Sequence, residues 1–144
     1  MTAVPAPAAG GEARRFLLGF AAYVVPSFPI AYAWHLVVFA GAYDALQIYR
    51  PDVIIPFGLA SMLIQGAAFS WIYPRLFPRR GRAWLAPGLA YGAGLAVVCW
   101  TFTTLAVAAK HPMSSTGDFI MLETGFTALQ FLVVGPLIAL AHRV

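Results

Sequence analysis

Residues 119–141 read "FIMLETGFTALQFLVVGPLIALA", an apolar run that holds one carboxylate, Glu123. The run is longer than the roughly 18–20 residues that an α-helix needs to cross about 30 Å of hydrocarbon. Since backbone polar groups in lipid must be hydrogen-bonded internally, a run of this length predicts a transmembrane helix. The buried carboxylate then needs an explanation, because a charge at that depth is costly.

Three similar runs precede this one, at residues 16–42, 53–73 and 84–109. The composition agrees with four spans, because 61% of the residues are hydrophobic and 10% are charged, against roughly 45–50% and 25% in soluble domains. The short alternating segments of a transmembrane β-barrel are absent from the sequence. We predict an all-α fold, a bundle of four transmembrane helices built from two antiparallel hairpins with short loops. Residues 1–15 are predicted to form a flexible cytoplasmic tail, and residues 16–144 a single domain.

The basic residues alternate between the segments that separate these runs. Seven lie in the two terminal segments and the middle loop, and two lie in the other loops. The positive-inside rule therefore predicts a multi-pass membrane protein with both termini and the middle loop in the cytoplasm. The net charge of +4 does not indicate nucleic-acid binding, because the basic residues flank apolar runs. The two groups are Arg14, Arg15, Arg75, Arg79, Arg80, Arg82 and Arg143, and Arg50 and Lys110.

Four stretches carry a family resemblance: "WHLVVFAGAY", "YRPDVIIPFGLASMLIQG", "AAKHPM" and "LQFLVVGPLIALAHR". Together they resemble small four-helix inner-membrane proteins of bacteria, a family without an assigned activity. The resemblance covers residues 16–143, and it implies a bacterial inner-membrane location and no particular chemistry.

Polar residues inside the runs concentrate towards the outer side of the predicted membrane. Glu123, Thr127 and Gln130 share one face of the fourth helix, because they are spaced at i, i+4 and i+7. The other candidates lie on the three remaining helices at similar depth, so we predict a polar cavity that faces the outer side. The candidate ligand-binding residues are His35, Ser61, Gln65, Lys110, Glu123, Thr127 and Gln130.

Three interpretations of Glu123 remain open on sequence alone. An ionisable residue inside the membrane indicates a functional site, with His35, Lys110 or Arg50 as the counter-charge. Polar residues also hold transmembrane helices together, which is the structural alternative. Contact with a lipid headgroup or a partner protein is the third.

No catalytic motif, zinc spacing or phosphate-binding loop is present in the sequence. We therefore predict a non-catalytic accessory or small-ligand-binding module, with no catalytic residues, no metal site and no identifiable cofactor. One alternative is a proton-coupled carrier or small membrane enzyme that uses Glu123, and another is haem or pigment binding through His35. The expected partners are the lipid bilayer and a larger membrane complex or a second copy of the chain, and nucleic acid is not expected.

Overall fold

The computed structural model describes residues 9–77 and 83–143. Within these ranges the chain is helical and contains no strand. The helices are Ala9–Ala33, Ala40–Leu46, Ile55–Leu76, Leu85–Trp100, Ala106–Ala108 and Thr116–Ala141, with π-helical segments at Trp34–Val38 and Thr101–Leu105.

Four helical segments are long and apolar enough to cross a membrane: Gly10–Val38, Ile55–Leu76, Leu85–Ala108 and Thr116–Ala141. We call them the first to fourth spans. Many large apolar side chains on them are exposed, such as Phe102 at 73%, as a bundle surrounded by lipid requires. The predicted all-α fold with four spans is confirmed.

Contacts between distant segments show that the spans run antiparallel. At one end, the Ser70 hydroxyl in the second span donates a hydrogen bond to the carbonyl of Phe16 in the first span, at 2.7 Å. At the other end, the backbone N–H of Ser114 donates to the carbonyl of Leu46, at 3.2 Å. We call the first the terminal end, because the described chain begins and finishes there, and the second the loop end.

The third and fourth spans pack closely through glycines. A Cβ atom on Gly88 would lie 2.7 Å from the Cα atom of Pro136, and one on Gly92 would clash with the carbonyl oxygen of Phe131. Small residues allow such backbone approach in membranes, where association depends on van der Waals packing.

The boundaries of the first span differ from those predicted. Its helix begins at Ala9, within the segment predicted to be a flexible tail, and Glu12 in its first turn stabilises the helix N-terminus. Its other end breaks after the π-helical segment at Phe39, where ψ is 16°, rather than continuing to Ala42. Residues 1–8 of the tail lie outside the described residues, as do Arg79, Arg80 and Arg82 of the predicted topology cluster.

The fourth span begins at a defined cap. The hydroxyl of Ser115 accepts a hydrogen bond from the backbone N–H of Asp118, at 3.3 Å, and a serine N-cap satisfies one of the free N–H groups of a helix start. The Asp118 carboxylate in the first turn adds favourable charge. The cap fixes where the span begins and therefore the level at which Glu123 enters the bundle.

Candidate functional site

Glu123 faces the interior of the bundle at the loop end. It is 8% exposed, and its Oε1 atom accepts a hydrogen bond of 2.7 Å from the hydroxyl of Tyr43. The Nε2 atom of His35 lies 3.3 Å from the same oxygen. The counter-group is therefore His35, whereas Lys110 and Arg50 are exposed and Arg50 instead pairs with Asp52 at 3.7 Å.

The hydrogen bonds around His35 determine where its protons are. Its Nδ1 atom lies 3.0 Å from the carbonyl oxygen of Ala31, and a carbonyl can only accept, so Nδ1 carries a proton. In a neutral ring Nε2 would then be an acceptor that faces a carboxylate, which is also an acceptor. The contact with Glu123 therefore needs one more proton, either on Nε2 or on the carboxyl group.

It follows that the pair holds a single exchangeable proton. It exists either as an imidazolium beside a carboxylate or as a neutral imidazole beside a carboxylic acid. Losing that proton leaves two lone pairs facing each other, which opposes the contact.

Aromatic rings enclose the pair. The ring of Tyr43 stacks on that of Tyr49 with centroids 5.0 Å apart, and His35 packs edge-on against Phe126 at 4.4 Å. Burial, and next the hydrogen bond to Glu123, raise the pKa of Tyr43 above its ordinary value of 10.0. Burial, and next the negative charge of Glu123, also raise the pKa of Tyr49. Both phenols are therefore neutral at physiological pH, and Tyr43 acts as a donor.

Two cavities share His35 and Tyr49 as wall residues. The first, which we call the interspan cavity, measures about 300 Å³ and lies between the first and second spans and the loop that joins them. Its wall is mainly apolar and is formed by Phe28, Ala31, Tyr32, His35, Leu36, Tyr49, Val53, Ile54, Ile55, Gly58, Leu59 and Met62.

The second cavity, which we call the loop cavity, measures about 280 Å³ and is more polar. Its wall includes Asp44, Gln47 and Arg50 at the loop end. Because His35 belongs to both walls, this member of the pair lies between an apolar compartment and a polar one.

Three of the predicted site residues, Ser61, Gln65 and Gln130, form a different cluster in the middle of the bundle. The amide of Gln130 donates to the hydroxyl of Tyr23 at 3.3 Å, and Tyr23 donates to the carbonyl oxygen of Gln65. The amide of Gln65 in turn donates to the hydroxyl of Ser61, at 2.9 Å. This network joins the first, second and fourth spans, which is the structural role that polar residues have in membranes.

The predicted residues are thus divided between several places. His35 and Glu123 meet at the loop end, while Gln65 and Gln130 join spans through Tyr23. Thr127 is buried between these two levels. Ser61 is exposed, as is Lys110.

Sequence reasoning missed the tyrosines that complete the site. Tyr43 is eight positions after His35 and is carried back to it because the helix breaks at Phe39. Tyr49 follows Gln47, whose φ of 55° turns the chain. Neither position follows the helical period of the first span, so no pattern in the sequence indicated them.

The described residues include no group of three His, Cys, Asp or Glu side chains that could hold a metal ion. His35 has both ring nitrogens engaged, one by Ala31 and one by Glu123. Ligation of a haem iron by His35 would therefore have to displace one of these partners.

Comparison with known proteins gives no functional lead. The chain matches no protein-family model, no curated protein and no solved structure. The geometry of the site is therefore the basis for inferring its function.

Proposed function

We propose that this protein is a non-catalytic membrane module that binds a lipid-soluble small molecule in the interspan cavity. The observation that supports this most is the position of His35, which lies on the wall of an apolar cavity of about 300 Å³ and is held by the buried Glu123. Small-molecule sites are typically apolar cavities of roughly this size with a few placed polar groups. His35, Tyr32 and Tyr49 are the polar side chains of this wall.

A substitution that fills the cavity tests the proposal. Gly58 lines the interspan cavity, and a Cβ atom there would meet nothing within 4 Å. Gly58→Phe should therefore occupy the cavity without a backbone clash. Gly94→Phe is the matched control, because Gly94 lies in the third span and has the same free space around it.

Native mass spectrometry after purification in a mild detergent gives the readout. The wild type and Gly94→Phe should retain a small molecule of defined mass, and Gly58→Phe should lose it. Equal retention by all three proteins, or no retained molecule in the wild type, would overturn the proposal.

The proposal also covers the location of the protein and its orientation in the membrane. The described terminal end carries Arg14, Arg15, Arg75 and Arg143, and the loop end carries Arg50 and Lys110. The positive-inside rule favours a cytoplasmic terminal end, and the resemblance to small four-helix bacterial proteins is the basis for proposing a bacterial inner membrane. Both cavities at His35 would then face the outer half of the membrane. A larger membrane complex or a second copy of the chain is the proposed protein partner.

A second candidate function is proton exchange, as in a proton-coupled carrier. The observation that favours it is the 3.3 Å contact between Nε2 of His35 and Oε1 of Glu123, which requires a shared proton, together with the position of His35 on the walls of the loop cavity and the interspan cavity. Glu123→Gln separates the two functions, because the amide keeps an oxygen for Tyr43 but cannot release a proton. A binding module should retain its ligand in this variant, whereas a proton carrier should lose activity while its fold survives.

The haem or pigment alternative has a direct test. An absorption spectrum of the purified protein should lack a Soret or pigment band, because both ring nitrogens of His35 already have partners. A band that His35→Ala abolishes would restore this alternative.

A further inference from the structure

The terminal end holds a second polar cavity, far from His35. It measures about 440 Å³ and lies where the first and second spans meet the end of the fourth. Its polar wall residues are Glu12, Arg15, Ser70, Arg75 and His142. We call it the basic cavity, because its described wall residues include two arginines and one acidic residue.

The floor of the basic cavity is fixed by a buried histidine. The hydroxyl of Ser70 has one proton, which it donates to the carbonyl of Phe16 at 2.7 Å. The Nε2 atom of His142 lies 3.1 Å from the same hydroxyl oxygen, so Nε2 is the donor in that contact. Gly19 makes room for this arrangement, because a Cβ atom there would lie 2.6 Å from Nε2 of His142.

One arginine of the cavity is held in place. The guanidinium of Arg75 lies 3.6 Å from the centre of the Trp71 ring and donates a hydrogen bond to the carbonyl of Trp71. Trp71 is 54% exposed, and tryptophan in membrane proteins is enriched at the level of the lipid headgroups. Arg75 therefore holds its charge at the depth of the lipid headgroups. Because its guanidinium is already fixed on Trp71, binding an anion costs less side-chain entropy.

We infer that the basic cavity binds a phosphate anion, either the phosphodiester of an anionic lipid or free phosphate. Arginine from two different spans supplies the hydrogen-bond donors that phosphate oxygens prefer, and the apolar surfaces of Phe16, Trp71 and Pro74 complete the wall. The level of Arg15, directly before the apolar residues of the first span, suits a lipid whose chains lie along that span. This site does not depend on the function proposed for His35.

Lipid exchange and native mass spectrometry test the inference. The protein is placed in nanodiscs of mixed phosphatidylglycerol and phosphatidylcholine, and the lipids that stay bound after release into detergent are counted. The test variant is Arg15→Gln with Arg75→Gln. The matched control is Arg14→Gln with Arg50→Gln, which removes the same charge from exposed positions outside the cavity.

The wild type and the control should retain phosphatidylglycerol preferentially. Each arginine near an anionic group raises the affinity for the anion about fivefold. The preference for phosphatidylglycerol should therefore be about 25-fold weaker in the test variant. Glu12→Gln should strengthen retention, because it removes the acid from the cavity wall. This opposite change is one that loss of folding could not produce.

Inorganic phosphate identifies the source of the anion. If millimolar phosphate raises the unfolding temperature of the wild type but not of the test variant, and phosphatidylglycerol is not enriched, the site takes free phosphate. Equal losses in the test and control variants, or no effect of either probe on the wild type, would overturn the inference.

Discussion

The Nε2 atom of His35 in the first span lies 3.3 Å from Oε1 of Glu123 in the fourth, and the two residues are 88 positions apart in the sequence. The relationship explains why a carboxylate is placed inside an apolar run, because its charge or its proton is shared with a partner on another span. The contact also determines how the first and fourth spans are rotated about their own axes at the loop end.

Replacing Glu123 with an amide side chain should cost little stability, whereas replacing it with a hydrocarbon side chain should cost more. In Glu123→Gln the amide NH2 can take the place of Oε1 and donate to Nε2 of neutral His35 and to the hydroxyl oxygen of Tyr43, so the substitution should cost less than about 1 kcal/mol of stability. Glu123→Leu leaves both partners buried without an acceptor or donor, at about 1–3 kcal/mol for each. Unfolding in mixed detergent measures the difference, with the exposed Met121→Leu as the control. Equal stability of Gln and Leu variants would contradict a paired role for Glu123.

Half-buried His35 and buried His142 should differ in which ring nitrogen carries the proton. His35 should carry a proton on Nδ1 because it faces the carbonyl of Ala31, and His142 should carry one on Nε2 because it faces Ser70. Nitrogen-15 chemical shifts of labelled histidine in detergent distinguish these forms, and exposed His111 serves as the internal reference. An unprotonated Nδ1 on His35 would contradict the assignment of the single exchangeable proton.

Alkaline pH should destabilise the loop end through Tyr43. Its pKa is raised in the folded protein by burial and by the hydrogen bond to Glu123. Because the folded pKa lies above the unfolded one, the contribution to stability is complete below the ordinary value of 10.0 and is lost as pH rises above it. Thermal unfolding between about pH 8 and pH 11 should show this loss. Tyr43→Phe should reduce the pH dependence without abolishing it, because the pKa of Tyr49 is also raised, and an unchanged slope in that variant would contradict the role of Tyr43.

Close packing of the third and fourth spans should make Gly92 sensitive to a single methyl group. A Cβ atom at Gly92 would clash with the backbone carbonyl of Phe131, which cannot move away as a side chain can. Gly92→Ala should therefore cost about 1–3 kcal/mol, whereas Gly94→Ala, with free space around it, should be neutral or slightly stabilising. Detergent unfolding of the two variants provides the comparison, and equal effects would contradict this packing.

The proposed orientation can be tested with single cysteines in intact cells. Cys99→Ala removes the native thiol, and Ser115→Cys or Gly10→Cys then places one at the loop end or the terminal end. An impermeant thiol reagent should label the loop-end cysteine and leave the terminal-end cysteine unlabelled until the membrane is opened. The reverse pattern would invert the proposed orientation.

Composition and run length were sufficient to predict the four spans, because a chain with 61% hydrophobic residues can satisfy its backbone in lipid only as helices. The face shared by Glu123, Thr127 and Gln130 was also predictable, and all three are buried. The partner of Glu123 was not, because His35, Lys110 and Arg50 were equally placed by depth alone. Only the rotation of the first span about its axis distinguishes them.

The division of the polar residues into separate clusters also could not be predicted. Gln65 and Gln130 are brought together by the hydroxyl of Tyr23, a residue that resembles any other aromatic side chain of an apolar run. Tyr43 and Tyr49 reach the site through the break at Phe39 and the turn at Gln47. Such breaks depend on local packing at the loop end and leave no periodic signal.

The most direct test of the proposed function uses photo-reactive methionine. Met62 lines the interspan cavity, whereas Met121 is 68% exposed on the fourth span and should contact bulk lipid. After illumination in native membranes, the peptide that contains Met62 should carry one small molecule of defined mass, and the peptide that contains Met121 should carry the mixed phospholipids of the membrane. If both peptides carried the same phospholipid mixture, the interspan cavity would be ordinary lipid-facing surface and the proposed binding function would be contradicted.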